Sequence, residues 1–326
     1  MSPPSRRGSG GLRYAHLVGL LPAHTYACQL VVTGGRGPRR TVRFRTAPAA
    51  SESFTFAAVG DSGDGSPQAA ALVRRILAGR PAFLIHLGDI AYGACTAAEL
   101  SGRFFRPYRR LLRRVPLFPT PGNHDLHRQS VYRTVFAPVA DGEDRGGPHY
   151  AFDWASAHFV SVSSPEFGAG DGEGARWLAD DLEAARPRPW RIVFLHEPVY
   201  SGGTKRVVRG LRADLEPLLE AGGVALLLAG HQHFYERADP ACEYVSGASV
   251  LEVISGGGGA NLDLPVMKAG FPRTVSATHY LRVRVAPTRL DIRAIDLDGH
   301  VLDHVHRSVG AVTPCRASGW PRPIEQ

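Results

Sequence analysis

The run Phe83-Leu84-Ile85-His86-Leu87, followed by Gly88-Asp89-Ile90-Ala91-Tyr92, decides the fold. Its first five residues read as a short buried strand, and that strand stops on a glycine and a carboxylate. A side chain delivered there stands at the carboxyl edge of a sheet, where open α/β folds place their ligands. One Gly-Asp pair after a strand is a weak signal by itself.

Four further stretches repeat the arrangement. Gly60-Asp61-Ser62-Gly63 follows Phe54-Thr55-Phe56-Ala57-Ala58-Val59, and Gly122-Asn123-His124-Asp125 follows Pro116-Leu117-Phe118-Pro119-Thr120-Pro121. His196 closes Ile192-Val193-Phe194-Leu195, and Gly230-His231-Gln232-His233 closes Val224-Ala225-Leu226-Leu227-Leu228-Ala229. Each time Asp, Asn or His stands where an apolar strand ends. Oxygen and nitrogen donors converging on one sheet edge, without thiolates, suit iron, manganese or zinc.

In this order the blocks resemble those of the metallophosphoesterase superfamily (GDxG, GDxxY, GNH followed by an acid, VxxH and GHxH) and, within it, the purple acid phosphatases. All five are intact; the likeness spans about residues 54 to 237, and C-terminal strands extend it to about residue 307. Most members of the superfamily open with Asp-x-His and use that His as a ligand. Here the position is Gly63, which cannot coordinate, and Tyr92, three residues after Asp89, matches the donor that purple acid phosphatases use instead. The tail Phe234-Tyr235-Glu236-Arg237 also looks like that subgroup. The resemblance implies an α/β fold, a four-layer αββα sandwich of two sheets flanked by helices.

It also implies a chemistry. A phosphomonoester dianion repels nucleophiles, and two metal ions can neutralise it, hold the attacking and leaving oxygens, and lower the pKa of bound water. By resemblance, Asp61, Asp89, Tyr92 and His233 ligate the first metal, and Asp89, Asn123, His196 and His231 ligate the second, with Asp89 bridging. A Tyr92 phenolate favours Fe(III) at the first site; divalent iron, zinc or manganese is expected at the second. A metal-bound hydroxide then attacks phosphorus in line. His124, catalytic and not a ligand, hydrogen-bonds the phosphoryl oxygens and protonates the leaving group; a purely structural His124 is the alternative. The implied enzyme is an acid phosphatase acting on phosphomonoesters. A phosphodiesterase or nucleotide pyrophosphatase on the same fold is the runner-up, a difference of loop shape, and a catalytically silent phosphate-binding module is a further reading that intact ligands oppose.

The neighbours of these blocks carry less. Asp64 and Asp125 read as turn acceptors or orienting groups, His86 as a core histidine, and His127 as a surface residue. Lys205-Arg206 lies in the loop after His196, where the plant-like enzymes place substrate-contacting histidines; the pair either clamps phosphate as a substrate-binding group or is solvated. Gly256 to Gly259 is not followed by Lys-Ser/Thr, so it reads as a structural turn before Asn261.

At 326 residues with a net charge of +8, the chain can bury a substantial core. Lys205 and Lys268 are its only lysines, so the charge is almost wholly arginine, and the basic residues are scattered among acids except from Arg103 to Arg114. Charge alone motivates a nucleic-acid reading, so the expected partner is a phosphate ester, with no specific nucleic acid and no membrane. No apolar run is long enough to span a bilayer. Residues 1–10 read as disordered, and they and the short apolar run Leu17 to Leu21, interrupted at Pro22, do not read as a signal peptide. The family resemblance implies a secreted or periplasmic protein; for the incomplete start, a truncated or wrongly placed chain start and a remnant docked on the catalytic domain are the open readings.

Residues 12–47 alternate as three short strands, Arg13 to Leu17, Tyr26 to Val32 and Arg40 to Thr46, and Leu20 to Tyr26 resembles the tyrosine corner of fibronectin type III domains. Plant-like purple acid phosphatases carry such a sandwich before the catalytic domain, so a partial, all-β, fibronectin-III-like remnant is expected, and three strands alone are stable only if docked on something else. The expected division is therefore 1–50 for this start and linker, 51–310 for the catalytic domain and 311–326 for a tail. Helices are expected at Pro67 to Gly79, Glu99 to Val115, Ala175 to Ala185 and Leu211 to Leu219, and a hairpin at Tyr150 to Ser164 about Ala155-Ser156-Ala157. Antiparallel strands close the chain, with a turn at Asp298-Gly299. Cys28, Cys95, Cys242 and Cys315 show no CxxC spacing. Cys95 and Cys242 each follow a ligand block, and a disulfide between them and buried free thiols are equally open.

Overall fold

The computed structural model describes residues 5–7, 13–15, 17–30, 40–136, 149–167, 172–239, 250–265 and 271–309. In chain order its strands and helices are β1 (Ser5–Arg7), β2 (Arg13–Ala15), β3 (Thr25–Leu30), β4 (Arg40–Arg45), β5 (Phe54–Val59), α1 (Pro67–Ala78), β6 (Leu84–His86), α2 (Ala97–Glu99), α3 (Arg106–Tyr108) and β7 (Leu117–Pro119). There follow α4 (Asn123–Leu126), α5 (Gln129–Phe136), β8 (Tyr150–Trp154), β9 (Ala157–Ser161), α6 (Ser164–Phe167), α7 (Glu173–Ala184), β10 (Trp190–Phe194) and α8 (Leu211–Ala221). The chain continues with β11 (Leu226–Ala229), β12 (Tyr235–Ala238), β13 (Leu251–Ser255), β14 (Arg273–Val275), β15 (His279–Ala286), β16 (Arg289–Asp296) and β17 (Val301–Ser308).

Two sheets carry the architecture. One has the order β17-β16-β15-β5-β6-β7, the other β14-β12-β13-β11-β10-β9-β8. The inner neighbours β5–β6, β6–β7, β9–β10, β10–β11 and β11–β13 are parallel, and antiparallel strands flank them. Strand residues alternate between faces, and the core follows that alternation. In β5, Phe54, Phe56 and Ala58 face the other sheet, whereas Ala57 and Val59 face the helical layer that contains α1. In β11, Leu226 and Leu228 face the other sheet, while Leu227 and Ala229 pack with α7 and α8. Both faces are buried, so these strands are continuous apolar runs rather than alternating ones. Between the sheets Phe56 stacks on Phe83 at 5.1 Å and meets Phe159 of the opposite sheet edge-on at 5.4 Å. The result is helix, sheet, sheet, helix: the expected αββα sandwich.

Local signals set the helix ends. Ser66 caps α1 by accepting from the Ala69 N–H, and Pro67 opens the helix, where its missing N–H costs nothing. The expected helix at Glu99 to Val115 takes a different form. A capping box of Thr96 and Glu99 starts α2, then Leu100–Phe105 is π-helical, α3 is one turn, and turns follow. Pro107 cannot donate to the carbonyl of Arg103, the bond a continuous α-helix would need, and its ring crowds that carbonyl; the π register supplies an alternative. Strands β12 and β14, on the far edge of the seven-stranded sheet, have no counterpart among the expected elements.

The N-terminal segment also departs from expectation. Ser5–Arg7, expected to be disordered, pairs with β2, and β3 pairs with β4, so the described residues form two separate two-stranded ribbons. Tyr26 does behave as a corner residue: its hydroxyl accepts from the Leu21 N–H at 2.9 Å and its ring stacks on Phe44 at 5.8 Å. The second ribbon is joined to the αββα body, because the Arg43 N–H donates to the Arg113 carbonyl at 2.9 Å and Ala47 packs against the inter-sheet core. The expected tail, with Cys315, and Cys242 lie outside the described residues; among the described residues Cys28 and Cys95 are free thiols. No helix among them is long and apolar enough to cross a membrane.

One polar cluster ties the β8–β9 hairpin to α7. The His158 Nδ1 meets Asp153 and its Nε2 meets Asp181, both at 2.8 Å. Burial alone would depress this imidazole, but the hydrogen bonds and charges of Asp181 and Asp153 outweigh it and raise the pKa. A raised folded-state pKa contributes stability fully below the unfolded value of about 6.5 and loses it as pH climbs through the folded value. His158→Ala is therefore expected to cost about 1 kcal/mol near pH 5.5 and measurably less at pH 9, read as the wild-type-minus-variant difference in urea denaturation. A pH-independent difference would show that packing, not charge, holds this corner.

Candidate metal centre

Five strand ends meet at one edge of the sandwich, three from the six-stranded sheet and two from the other. Asp61 follows β5, Asp89 follows β6, and Asn123 follows β7 as the first residue of α4. His196 follows β10, and His231 and His233 follow β11. Three of these residues are left-handed: Asp61 (φ 60°), Asp89 (φ 54°) and His231 (φ 70°). Such a conformation costs about 1–3 kcal/mol per residue and persists only where the surroundings enforce it. Here the strand ends are laced together. The Asp61 N–H donates to the Gly88 carbonyl at 3.0 Å, the Gly63 N–H to the Asp89 carbonyl at 3.1 Å, and the Gly230 N–H to the His196 carbonyl at 2.9 Å. A Cβ at Gly122 would lie 2.2 Å from Asp89 Oδ1, so only glycine lets the β6 and β7 ends approach.

The donor atoms fall into two groups joined by Asp89. In the first, the Tyr92 hydroxyl lies 3.1 Å from Asp61 Oδ1 and 2.8 Å from His233 Nε2, and the latter is 3.4 Å from Asp61 Oδ1. In the second, Asn123 Oδ1 lies 3.0 Å from His196 Nε2 and 3.2 Å from His231 Nδ1, and the two ring nitrogens are 3.3 Å apart. Asp89 Oδ1 is 3.6 Å from His196 Nε2. Ligand atoms of Asp61, Asp89 and His196, all buried, lie within 4.8 Å of one another. All seven expected ligands are thus brought together.

Backbone carbonyls fix the tautomers. His196 Nδ1 faces the Leu87 carbonyl at 2.7 Å, His231 Nε2 the Arg206 carbonyl at 2.8 Å, and His233 Nδ1 the Asn261 carbonyl at 2.7 Å. A carbonyl only accepts, so each of these nitrogens carries the hydrogen and the opposite nitrogen presents a lone pair. His196 Nε2 and His231 Nδ1 then point lone pairs at each other beside the Asn123 oxygen. Acceptors facing acceptors with no donor between them need a cation. In the protein alone a proton can fill that place. Burial opposes protonation of His196, but Asp89 and Asp61 raise its pKa, while burial and the charge of His196 push His231 down to about 4. Burial, then the charges of Asp61 and Asp89, hold the Tyr92 phenol well above its ordinary value. A cation would reverse that field. The donor set of oxygen and imidazole nitrogen fits two hard or borderline metal ions.

Gly63 takes on a second meaning here. A Cβ on it would sit 2.4 Å from the backbone of Ile90, and its carbonyl accepts from the Tyr92 N–H at 3.0 Å. The turn that presents Tyr92 occupies the space that any side chain at 63 would need. Arg103, one of the arginines expected on a solvated face, holds the same turn by donating to the Tyr92 carbonyl at 2.7 Å.

Other expected residues sort clearly. Asp125 is fully buried and accepts from the N–H groups of Ile90 at 3.0 Å and Gly122 at 2.9 Å, so it orients the β6 and β7 ends. Burial and the charge of Asp89 push its pKa up to about 7. Its neighbour Cys95 hydrogen-bonds to it, and burial and that carboxylate push the thiol up to about 12. His86 is a core residue, bonded through Nε2 to Ser62 Oγ at 2.8 Å. Asp64 accepts from the Ser66 N–H, as a turn residue does. Gly256 to Gly259 packs behind the site: a Cβ at Gly258 would lie 2.0 Å from the Gly60 carbonyl. The half-buried His124 ring lies tilted against Tyr92 at 4.7 Å between centroids, and its Nδ1 lies 3.4 Å from the Gly93 carbonyl, which His127 also contacts at 3.1 Å.

Lys205 has partners within the chain. Its ammonium donates to the His231 carbonyl at 2.8 Å and pairs with Asp263 at 3.0 Å. Arg206 gives its carbonyl to His231, and Arg206 and Arg209 are among the residues that line a cleft of about 1370 Å³, together with Asn123 and His231. Sequence reading missed Asp263, Asn261 and Arg103, because their roles run through backbone groups and leave no side-chain motif.

The model of the calcineurin-like phosphoesterase family matches residues 54–235, more than half of the chain. The chain belongs to that family. Its relatives include acid phosphatases and purple acid phosphatases. The chain is 29% identical to human acid phosphatase type 7 over 333 residues, covering 88% of this chain and 74% of that one. It is 30% identical to purple acid phosphatase 22 of Arabidopsis thaliana over 236 residues, covering 68% of this chain. The purple acid phosphatase isolated from yellow lupin (Lupinus luteus) seeds shares the fold, with a TM-score of 0.76 at 18% identity over 93% of this chain. The chain spans 52% of the length of the Arabidopsis relative and 64% of the lupin chain.

The Gly63 contact gives a direct test in this member of the purple acid phosphatase family. Gly63→Ala should lower stability by about 2 kcal/mol or more, since a backbone clash has no flexible partner to absorb it. A variant with the wild-type denaturation midpoint would remove the steric link between residues 63 and 92.

Proposed function

We propose that this protein is a binuclear acid phosphatase acting on phosphomonoesters. The observation that carries the reading is the set of mutually facing acceptors, His196 Nε2, His231 Nδ1 and Asn123 Oδ1, beside the Asp89 carboxylate. Asp61, Asp89, Tyr92 and His233 would hold one metal, and Asp89, Asn123, His196 and His231 the other. Fe(III) is proposed at the Tyr92 site, where a hard phenolate suits it, and divalent iron, zinc or manganese at the second. When bound, the ions neutralise the phosphate dianion and supply a strong nucleophile at modest pH.

The chain's own residues do the rest. Asp61 Oδ2 accepts from the His231 N–H at 2.8 Å and Asp89 Oδ1 from the His124 N–H at 3.0 Å, so each carboxylate also fixes the backbone of a neighbouring functional residue. His124, on the open side of Tyr92, hydrogen-bonds the phosphoryl oxygens and gives a proton to the departing alkoxide. The cleft lined by Arg206 and Arg209 receives the leaving group. Their guanidinium groups have no partner among the described residues, which favours esters whose leaving group carries negative charge.

The test is a screen with p-nitrophenyl phosphate, bis-p-nitrophenyl phosphate and nucleotides, with metal measured on the same samples. A monoesterase with two metals turns over the first far better than the second. Preference for the diester would favour the phosphodiesterase reading, and metal-loaded protein inert on all would leave a binding module.

Two variants probe individual roles. His124→Ala should lower kcat by roughly 10²–10⁴-fold with metal content intact, and the deficit should shrink for a nitrophenolate leaving group, which needs no proton. Loss of metal instead would make His124 structural.

Tyr92→Phe keeps the ring and removes the oxygen. Iron-loaded wild-type protein should absorb in the visible through phenolate-to-Fe(III) charge transfer, and this variant should lose the band. Stoichiometric ferric iron in the wild type without that band would remove Tyr92 from the ligand set.

A further inference from the structure

We propose that Lys205 and Asp263 form a clasp that sets the orientation of His231 and His233 together, so that one ion pair tunes both metal sites. The inference rests on reading those two histidines as ligands, and it assigns Lys205 a positioning role in place of substrate contact.

The turn from His231 to His233 is gripped from two sides. On one side lies the loop after β10. Arg206 accepts from His231 Nε2 at 2.8 Å, Lys205 Nζ donates to the His231 carbonyl at 2.8 Å, and the Lys205 carbonyl accepts from Gln232 Nε2 at 3.2 Å. On the other side lies the loop before β14. Asn261 accepts from His233 Nδ1 at 2.7 Å, and Asp263 Oδ2 accepts from the His233 N–H at 2.9 Å. The Lys205 Nζ to Asp263 Oδ2 contact of 3.0 Å closes the ring across the turn. His231 belongs to one donor group and His233 to the other, so a displacement of either loop would re-aim a ring in each.

The loop that carries Lys205 is itself braced. Buried Glu252 accepts from the N–H groups of Val199 at 2.8 Å and Tyr200 at 2.6 Å, buried Glu236 accepts from Gly202 at 2.7 Å, and Glu197 accepts from Val208. Carboxylates satisfying backbone donors at four points leave that stretch little freedom, and the Arg206 carbonyl and Lys205 Nζ inherit the constraint. The pair is partly exposed, with side chains 28% and 29% accessible. Exposed ion pairs add little to global stability. Its consequence lies in aim, since groups that hold a ligand's far nitrogen or backbone set its approach to a metal.

Lys205→Met and Asp263→Ala test the clasp, with Lys205→Arg as the conservative variant. Metal retention is followed against a chelator, without substrate, and for iron-loaded protein by the visible band. Each of the first two variants should weaken retention by about 10- to 100-fold at both sites, the double variant should be no worse than the poorer single, and Lys205→Arg should recover most of the loss. The denaturation midpoint of metal-free protein should stay near wild type. Unchanged retention with a raised KM would return Lys205 to the substrate, and unchanged retention with a lowered midpoint would make the pair structural; either result overturns the clasp. Wild-type protein that retains no metal would instead sink the ligand reading from which the clasp is drawn.

Discussion

Two imidazole lone pairs, 3.3 Å apart and beside an amide oxygen, repel one another unless something positive stands among them. That constraint organises the molecule. The carbonyls of Leu87, Arg206 and Asn261 take the opposite ring nitrogens, so none of the three histidines can turn its hydrogen inward. Left-handed backbone at Asp61, Asp89 and His231 puts the donors on the inner side of their turns. The double-sheet core beneath, with Phe56, Phe83 and Phe159 interlocked, is what makes such strain affordable.

Much of this was legible in the sequence, for a physical reason. Strands buried on both faces are written as unbroken apolar runs, and their ends are written as glycine followed by a polar residue. The five strand-end turns followed from that pattern, while the αββα layers and the set of seven side chains came from the resemblance that those turns carry to the purple acid phosphatases. The weighing of Asp125, His86 and Gly256 to Gly259 also agreed with their surroundings, because an acid beside a ligand block or a histidine inside an apolar run has few places to go.

What stayed hidden has its own pattern. The segment from Glu99 to Tyr108 has helical composition, but the interplay of Pro107 with the carbonyl four residues earlier decides its register. Strands β12 and β14 are short and rich in polar residues, and only pairing defines them, β14 at the sheet edge and β12 between it and β13. A phosphate clamp and a solvated loop stayed open for Lys205 because sequence shows a charge and not its partner; Asp263, which pairs with it, lies 58 positions later in the numbering. Arg103 likewise serves a backbone carbonyl. The N-terminal ribbons depend on which strand finds which edge, and that choice is tertiary.

The contact between position 63 and the turn before Tyr92 has a consequence for design. In this structure the backbone of Ile90 runs through the space that a side chain at position 63 would need, so a histidine could not be placed at 63 without rerouting the loop. The donor and the loop that carries it are one unit, and a designer who moves Tyr92 to another scaffold must carry the whole 88–93 turn along with it.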